Sequence, residues 1–476
     1  MPTSVTAFVG RCRRGESEST ERPIEVSSWG EFVRRCGDVW AQSDLPTAVQ
    51  QYFLAGGVRA LIVRVVHAAD TTVASFDLGG GLELQATSLG SWPNELVVRV
   101  EHPNPALGSV DPSTFHLSIG TGTGDDFVAA EVHRLVSVDP SSARNVQRVL
   151  RAKSSLLRAT TDTAPRPAAI DYTTSSPGDD GSAPTNTEME EALERLRLAD
   201  VVNLICIPPY AASGGSPHPD VYTAAVAVAE ELRSMVLVDP PDGWTSVADA
   251  ASMSGVTSLA HRNVIMTYPA VRAPDPVQDG LERAYAPSAF MAGVISRSDG
   301  ERGVWFSPAG MDAKLRGVTS LEQPLTEAEI GQLNQRGVNA LVERGLAGPV
   351  VWGSRTAVGA DTRASQWKYI AVRRLALYIE ESLRRGLQWA VFEPNDAPLH
   401  AQIRMAVGGF MQQLFRDGAF AGSQVRDAYE VKCDAETTTP DDVARGIVNI
   451  IVRFAPLKPA EFVVLTFQQM AGQAGG

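Results

Sequence analysis

Residues 366–396 read QWKYIAVRRLALYIEESLRRGLQWAVFEPND and predict a helix that leads into a buried strand. Apolar residues recur at helical spacing and form one stripe, made of Val372, Leu375, Ala376, Ile379 and Leu383. Glu380 precedes Arg384 by four residues, and Glu381 precedes Arg385 by four. This order of charges favours ion pairs along a helix.

The end of this helix is also predicted. Gly386 stands where a left-handed C-terminal cap is expected. The apolar segment Trp389–Phe392 then predicts a short strand, which Pro394 stops because proline cannot donate to a sheet.

The amino-acid sequence of residues 372–396 closely resembles part of the C-terminal domain of contractile tail sheath proteins. That family builds phage tails, R-type bacteriocins and phage-like contractile injection systems. Further segments resemble motifs of the same family and follow in its order: Pro398–Arg404, Arg416–Gly422, Tyr429–Asp434 and Ala455–Phe462. One such motif would be a weak signal, whereas the ordered set is a strong one.

The N-terminal region resembles the same family. The segments that carry this resemblance are Thr6–Gly10 with Arg14 and Gly15, Trp29–Gly37, Ala48–Gly57 and Arg59–Val65. The resemblance is good over residues 1–66 and 315–470, looser over 195–314, and not seen over 80–190.

The resemblance implies a multidomain α/β chain. Its parts would be a subtilisin-like α/β middle domain without a protease site, an α+β C-terminal sheath domain, a β-rich inserted domain and extended terminal β-arms. The expected boundaries are 1–25 for an N-terminal arm and linker, 26–79 for the first part of the core, 80–190 for the insertion, 191–325 for the middle domain, 326–455 for the C-terminal domain and 456–476 for the C-terminal arm.

Composition supports a chain of several domains, because 476 residues are too many for one hydrophobic core. The 42 Lys and Arg against 55 Asp and Glu give a net charge of −13, which argues against nucleic acid as a partner. Four cysteines without C-x-x-C spacing are typical of reduced thiols. No apolar run predicts a membrane span or a signal region, so we expect cytoplasmic synthesis and no direct membrane insertion.

Segment 82–138 alternates between polar and apolar residues and predicts a small β-rich unit. Asn145–Arg158 predicts a helix. Residues 160–187 are rich in Thr, Ser, Pro, Asp and Gly and predict a loop or a disordered stretch. We therefore expect the block 80–190 to be an insertion exposed on the outside of an assembly.

From residue 188 the pattern alternates between helices and short apolar strands. Strands are predicted at Val201–Ile207, Met235–Val238 and Val264–Thr267, and helices at 188–198, 220–234 and 286–296. Such alternation indicates a parallel sheet covered on both faces. Thr326 and Glu329 predict a capping box, and Val338–Val342 is expected to pair with Pro349–Trp352.

Catalytic chemistry is not predicted. Asp239, His261 and Ser252 or Ser254 could form a triad on paper, yet no G-x-S-x-G or G-T-S-M-A-like segment is present, and fold alone does not imply activity. The seven histidines lack metal-ligand spacing, and Gly120–Gly124 predicts a hairpin turn rather than a nucleotide site. We expect no catalytic residue, metal or cofactor.

The segment Glu461–Phe467 is apolar on both faces and follows Pro456 and Pro459, which would form a stiff linker. A terminal strand of this kind must be buried in a sheet. It pairs within its own subunit or, as the resemblance implies, adds to the sheet of a neighbour. The expected intersubunit arm residues are Phe462, Val463, Val464, Leu465, Thr466 and Phe467, with Val5, Thr6, Ala7, Phe8 and Val9 as the N-terminal arm.

Four arginines of the predicted helix could face an acidic inner tube or could be solvated helix ends: Arg373, Arg374, Arg384 and Arg385. The resemblance implies a structural subunit that stacks as six-fold rings around an inner tube protein and contracts to drive that tube through a target envelope. Baseplate and terminal cap proteins would be further partners. The alternatives are a non-contractile ring or tube protein and an α/β hydrolytic enzyme.

Overall fold

The computed structural model describes residues 1–15, 22–103, 111–161, 164–210, 215 and 217–461. These residues form a central α/β sheet, a β-rich unit, and a C-terminal unit of helices with a two-stranded sheet. The predicted arm strand at 462–467 lies outside the described residues.

The N-terminal part supplies the first elements of the central sheet, which are β1 (Thr6–Gly10), β2 (Ile24–Val26), α1 (Trp29–Cys36), α2 (Leu45–Ala55) and β3 (Ala60–Arg64). The Ser28 side chain caps α1 by accepting a hydrogen bond from the Glu31 N–H. Gly56 ends α2 in the left-handed conformation, with φ +115°, which glycine adopts without steric cost.

The β-rich unit contains β4 (Ser75–Asp77), β5 (Glu83–Ala86), β6 (Leu96–Glu101), β7 (Thr114–Thr121), β8 (Val128–Ser137), α3 (Val146–Lys153), β9 (Leu157–Ala159) and β10 (Asp171–Tyr172). Its strands form two antiparallel sheets in the orders β4-β5-β9 and β10-β6-β7-β8, around a separate apolar cluster. Because β4 precedes Gly79 and belongs to this cluster, the predicted boundary at residue 80 falls inside the unit.

The chain enters and leaves the β-rich unit at one place. The Thr72 N–H donates to the Asp179 carbonyl at 3.0 Å, and the Asp179 N–H donates back to the Thr72 hydroxyl at 2.9 Å. Arg11 donates to the Gly181 carbonyl at 2.9 Å. The last part of the predicted loop is therefore held by hydrogen bonds to Thr72 and Arg11.

The remaining elements of the α/β part are α4 (Asn186–Glu194), β11 (Leu204–Cys206), α5 (Pro219–Glu231), β12 (Met235–Val238), α6 (Val247–Ser252), β13 (Val264–Tyr268), β14 (Val271–Pro274), β15 (Glu282–Tyr285), α7 (Ser288–Arg302), β16 (Ser320–Leu321), α8 (Glu327–Arg336), β17 (Val338–Glu343) and β18 (Pro349–Val351). Thr326 and Glu329 form the predicted capping box of α8. The predicted pairing of β17 with β18 is also confirmed.

The central sheet has eight strands in the order β18-β17-β13-β12-β11-β1-β3-β2. Its six inner strands are parallel, and the two edge strands β2 and β18 are antiparallel to their neighbours. Helices cover both faces, with α4, α5, α6 and α8 on one and α1, α2 and α7 on the other. The predicted parallel sheet with two buried faces is thereby confirmed.

The C-terminal unit contains α9 (Ile370–Gly386), α10 (Ala397–Arg416), α11 (Val425–Ala428), β19 (Tyr429–Lys432), α12 (Pro440–Ala444) and β20 (Ile451–Phe454). Helix α9 joins this unit to the central sheet. Its residues Ile370 and Leu377 pack in the sheet's core, whereas Leu375 and Ile379 pack against α10.

Two predictions at the end of α9 are wrong. Gly386 is the last helical residue and Leu387 takes the cap position, because the Leu387 N–H still bonds to the Leu383 carbonyl. Trp389–Phe392 is not a strand: a 3-10 turn spans Gln388–Ala390, and Phe392 has φ +73° and a fully exposed side chain. A left-handed residue without a partner strand interrupts the extended backbone that a strand requires.

Candidate assembly interface

The N-terminal segment predicted to leave its subunit is a central strand of its own sheet. Thr6 of β1 pairs with Leu204 of β11 on one side and with Ala60 of β3 on the other. Residues 5–9 are fully buried, so the prediction of Val5–Val9 as an intersubunit arm is corrected. A segment that is apolar on both faces fits an inner parallel strand as well as an exchanged one.

The C-terminal linker runs back from the C-terminal unit to the central sheet. After β20, the Ala455 carbonyl accepts a hydrogen bond from the Ala421 N–H at 2.8 Å, and Pro456 forms an isolated bridge with Phe420. Five residues later, Glu461 reaches a buried arginine beside β18. The described part of the chain ends there.

Arg355 receives Glu461 in a fully buried position, with none of the arginine's surface exposed. Its Nε and Nη2 donate to the two carboxylate oxygens of Glu461, both at 2.6 Å. Its Nη1 donates to the Gly359 carbonyl at 3.2 Å and to Asp361 at 3.0 Å. The Tyr369 hydroxyl adds a bond of 3.2 Å to Glu461. This bidentate geometry is the strongest arrangement for an arginine and a carboxylate.

The charges around Arg355 balance. Lys368 Nζ lies 2.8 Å from Asp361 and 3.4 Å from Glu461, so two cations meet two anions. Burial disfavours the charge on Arg355, yet the hydrogen bonds that it donates to Glu461 and the negative charges of Glu461 and Asp361 together outweigh burial and raise the pKa of Arg355. Burial also opposes the Glu461 charge, and the hydrogen bonds and positive charges of Arg355 and Lys368 together nevertheless lower the pKa of Glu461. Both groups are therefore charged at neutral pH.

No motif or spacing in the sequence pointed to this site. Arg355 and Glu461 lie 106 residues apart, and neither was predicted to pair. Glu461 could be placed only at the start of an apolar strand. The pairing depends on the linker turning back towards the central sheet, which local sequence does not encode.

A second feature of the interface is the two-stranded sheet formed by β19 and β20. The strands pair antiparallel from Tyr429 with Phe454 to Lys432 with Ile451. Within the described residues, neither strand pairs with a third. Neither outer edge is thus covered by another strand in this part of the chain, and Ile451 is 37% exposed. An open edge of this kind can accept an added strand.

Two of the four arginines considered for contact with a tube point into the protein. Arg374 is 4% exposed and bonds to Asp299 through both Nη atoms, at 2.7 and 2.6 Å, and to the Thr3 carbonyl at 2.7 Å. Arg373 is equally buried and donates to Asn263 at 2.8 Å. Because α9 lies between two cores, these side chains cannot face a tube, and that prediction is corrected for them.

The other two arginines lie near the surface at the end of α9. Arg385 pairs with Glu381 at 2.7 Å, as predicted, whereas Arg384 also bonds to Glu381 instead of the predicted Glu380. The Arg384 side chain is 46% exposed. A contact of Arg384 and Arg385 with a tube stays a prediction.

The triad drawn from the sequence does not assemble. Asp239 is buried and accepts two hydrogen bonds of 2.8 Å from Ser288, from its N–H and its hydroxyl. Burial raises the pKa of Asp239 to about 7. His261 lies 3.2 Å from a glutamate of α5, and the Ser252 hydroxyl donates to a backbone carbonyl at 2.9 Å. In the described ranges, no hydrogen bond joins Asp239 to His261 or to Ser252.

Metal ligation and membrane spanning can also be judged in the part of the chain that the structure describes. In these residues no group of three or more His, Cys, Asp or Glu side chains could hold a metal ion. The described helices include none with the length and apolar character needed to span a membrane. Gly120–Gly124 lies at the turn between β7 and β8, so its prediction as a hairpin is confirmed.

Two domains of one known protein family match the central sheet and the C-terminal unit of this chain. The phage tail sheath protein central domain matches residues 182–357, and the phage tail sheath C-terminal domain matches residues 362–470. Together they cover more than half of the chain. A prophage major tail sheath protein of Pseudomonas aeruginosa (strain UCBPP-PA14) is 25% identical over 52% of this chain and 61% of its own length. The tail sheath protein of Enterobacteria phage T4 is 25% identical over 43% of this chain and 30% of its own length.

Solved structures share the fold over almost the entire chain. The helical sheath of the anti-feeding prophage in its contracted state aligns with a TM-score of 0.61 at 21% identity, and covers 98% of this chain and 94% of that one. The sheath tail protein of Listeria innocua aligns with a TM-score of 0.67 at 14% identity, and covers 96% of both chains. The chain belongs to the phage tail sheath family, although it spans less than two thirds of the curated relatives it matches.

Proposed function

We propose that this chain is the structural subunit of a contractile sheath, which stacks in six-fold rings around an inner tube and drives that tube through a target envelope. The observation that carries the proposal is the ordered match of both tail sheath domains to the central sheet and the C-terminal unit. A baseplate and a terminal cap would bound the sheath. Assembly would take place in the cytoplasm.

The mechanical work would come from packing between subunits. In a metastable extended sheath, subunits would shift as near-rigid bodies into contacts that bury more apolar surface. The described residues fit this role because α9 is shared by two hydrophobic clusters and couples the central sheet to the C-terminal unit. No nucleotide is required for such a transition.

Exchange of the C-terminal strand would connect the subunits. The apolar segment 462–467 of one copy would add to the open edge of the β19–β20 sheet of a second copy. The support is the unpaired edges of that sheet within the described residues, together with the apolar character of both faces of the segment. Pro456 and Pro459 would keep the linker short and stiff.

We further propose that the α/β part is a subtilisin-like domain without a protease site, and that the β-rich unit is an insertion on its outer side. Three observations support the insertion. The unit has its own apolar cluster, the tail sheath match begins only at residue 182, and the chain enters and leaves the unit at two residues that are hydrogen-bonded to each other, Thr72 and Asp179.

Deletion of residues 73–178, with a short Gly/Ser linker from Thr72 to Asp179, is expected to leave a folded subunit that still assembles. The linker has only a small gap to close, and Asp180 and Gly181 keep their contacts with Arg11. Circular dichroism and electron microscopy would check folding and assembly. A control deletion that runs to residue 187 removes the carbonyls that Arg11 needs and should fold poorly. Unfolding of the shorter deletion would show that the unit belongs to the core.

Electron microscopy of the purified protein in negative stain tests the function itself. Hollow striated cylinders that shorten under mild denaturant are the expected result. Cylinders or rings of fixed length would indicate a non-contractile structural protein. Monomers under all conditions would contradict the proposal.

A further inference from the structure

The C-terminal linker is held at two separate points. At its start, Ala455 and Pro456 bond to the turn after α10, through Ala421 and Phe420. At its end, Glu461 enters the buried Arg355 site. The intervening residues 457–460 cross from the C-terminal unit to the central sheet as one short span that includes Pro459.

The second point is a specific receptor rather than a surface contact. Most ion pairs on a protein surface contribute little, because water competes for both partners and long side chains lose freedom. Arg355 is different, since its guanidinium is fully buried and all three nitrogens donate hydrogen bonds. Among the described residues, withdrawal of Glu461 would leave this buried cation with Asp361 as its one remaining anionic partner, at 3.0 Å.

We propose that Arg355 is a clasp for the Glu461 carboxylate, and that it fixes the root of the C-terminal segment on its own subunit. Only the chain after Glu461 is then free to reach a second copy of this protein. This inference rests on the proposed sheath function for what the free segment does. The clasp itself is a property of the single subunit and can be tested there.

The clasp changes which residues set the length of the intersubunit tether. Residues inserted between Leu457 and Lys458 lie between the two held points, so they enlarge a closed loop and leave the free segment unchanged. The same residues inserted between Glu461 and Phe462 lengthen the free segment directly. The two insertions are chemically identical and differ only in their position relative to the clasp.

A spin label at position 458 measures the clasp in the unassembled full chain. Lys458 is exposed, and the four native cysteines are buried, so Lys458→Cys gives one reactive thiol. The label is expected to show an immobilised line shape in the parent protein and a mobile one in Glu461→Gln. Glu430→Gln is the matched control, because it removes a carboxylate from an exposed pair with Arg453, and its line shape should stay immobilised. An unchanged line shape in Glu461→Gln would overturn the proposal.

Glu461→Gln leaves Arg355 charged and buried, which could impair folding. The double variant Arg355→Met with Glu461→Gln removes the buried charge together with its partner, and such replacements are well tolerated. It should also show a mobile label. Glu461→Asp keeps the carboxylate and should restore part of the immobilisation. A double variant with the parent line shape would contradict the clasp as clearly as the single one.

The two insertions separate this inference from the sheath proposal. If the parent protein forms sheaths and the clasp holds, the insertion after Leu457 should contract like the parent, and the insertion after Glu461 should contract less. Equal effects of both insertions would overturn the clasp and leave the sheath function standing. Absence of sheaths from the parent protein would contradict the function, whereas the spin-label result would still decide the clasp.

Discussion

Removal of residues 462–476, with Glu461 kept, is expected to give a folded subunit that cannot polymerise. The deleted segment contains the apolar residues 462–467, whereas every cluster of the described core lies before it. The Arg355 site stays filled because Glu461 remains. Loss of the strand removes the main-chain hydrogen bonds and apolar side chains that would join one copy to the next.

Size-exclusion chromatography and electron microscopy measure this effect, with circular dichroism as the test of folding. Deletion of residues 471–476 is the matched control, since it shortens the chain but keeps the apolar residues 462–467 and should assemble normally. Sheaths of ordinary length from the protein that ends at Glu461 would show that the C-terminal strand is not what connects subunits.

Substitution of Arg374 by Met is expected to lower the free energy of unfolding by about 3 to 5 kcal/mol, the usual cost of breaking a buried ion pair. The loss arises because Asp299, whose side chain is 3% exposed, would keep its charge without a cation. Arg374 also bonds to the Thr3 carbonyl, so the N-terminus would lose one of its contacts with α9. Denaturant unfolding monitored by tryptophan fluorescence gives the measurement.

The control for Arg374→Met is Arg384→Met on the same helix. Arg384 is 46% exposed, so its pair with Glu381 is screened by water and the expected loss is below about 1 kcal/mol. A third variant, Arg374→Met with Asp299→Asn, should recover part of the stability because the buried charge is gone. Equal losses at positions 374 and 384 would refute the internal role of Arg374.

The sequence by itself determined the elements whose signals are local and periodic. The strand Met235–Val238 was predicted with its observed bounds, and the capping box of Thr326 and Glu329 begins α8 as expected. These features depend on side-chain spacing and on backbone groups within a few residues, which a linear pattern contains. The order of the motifs also identified the family, because motifs can be recognised in a sequence without knowledge of any tertiary contact.

Only the tertiary structure decided what each apolar or charged segment touches. Val5–Val9 is apolar on both faces, and this pattern fits an exchanged arm as well as an inner strand until its neighbours β3 and β11 are known. Arg373 and Arg374 are charged residues on a helix, and they are buried because α9 lies between two cores. The Arg355–Glu461 pair joins residues far apart in sequence. Its geometry depends on where the linker returns to the central sheet, and a one-dimensional pattern carries no information about that return.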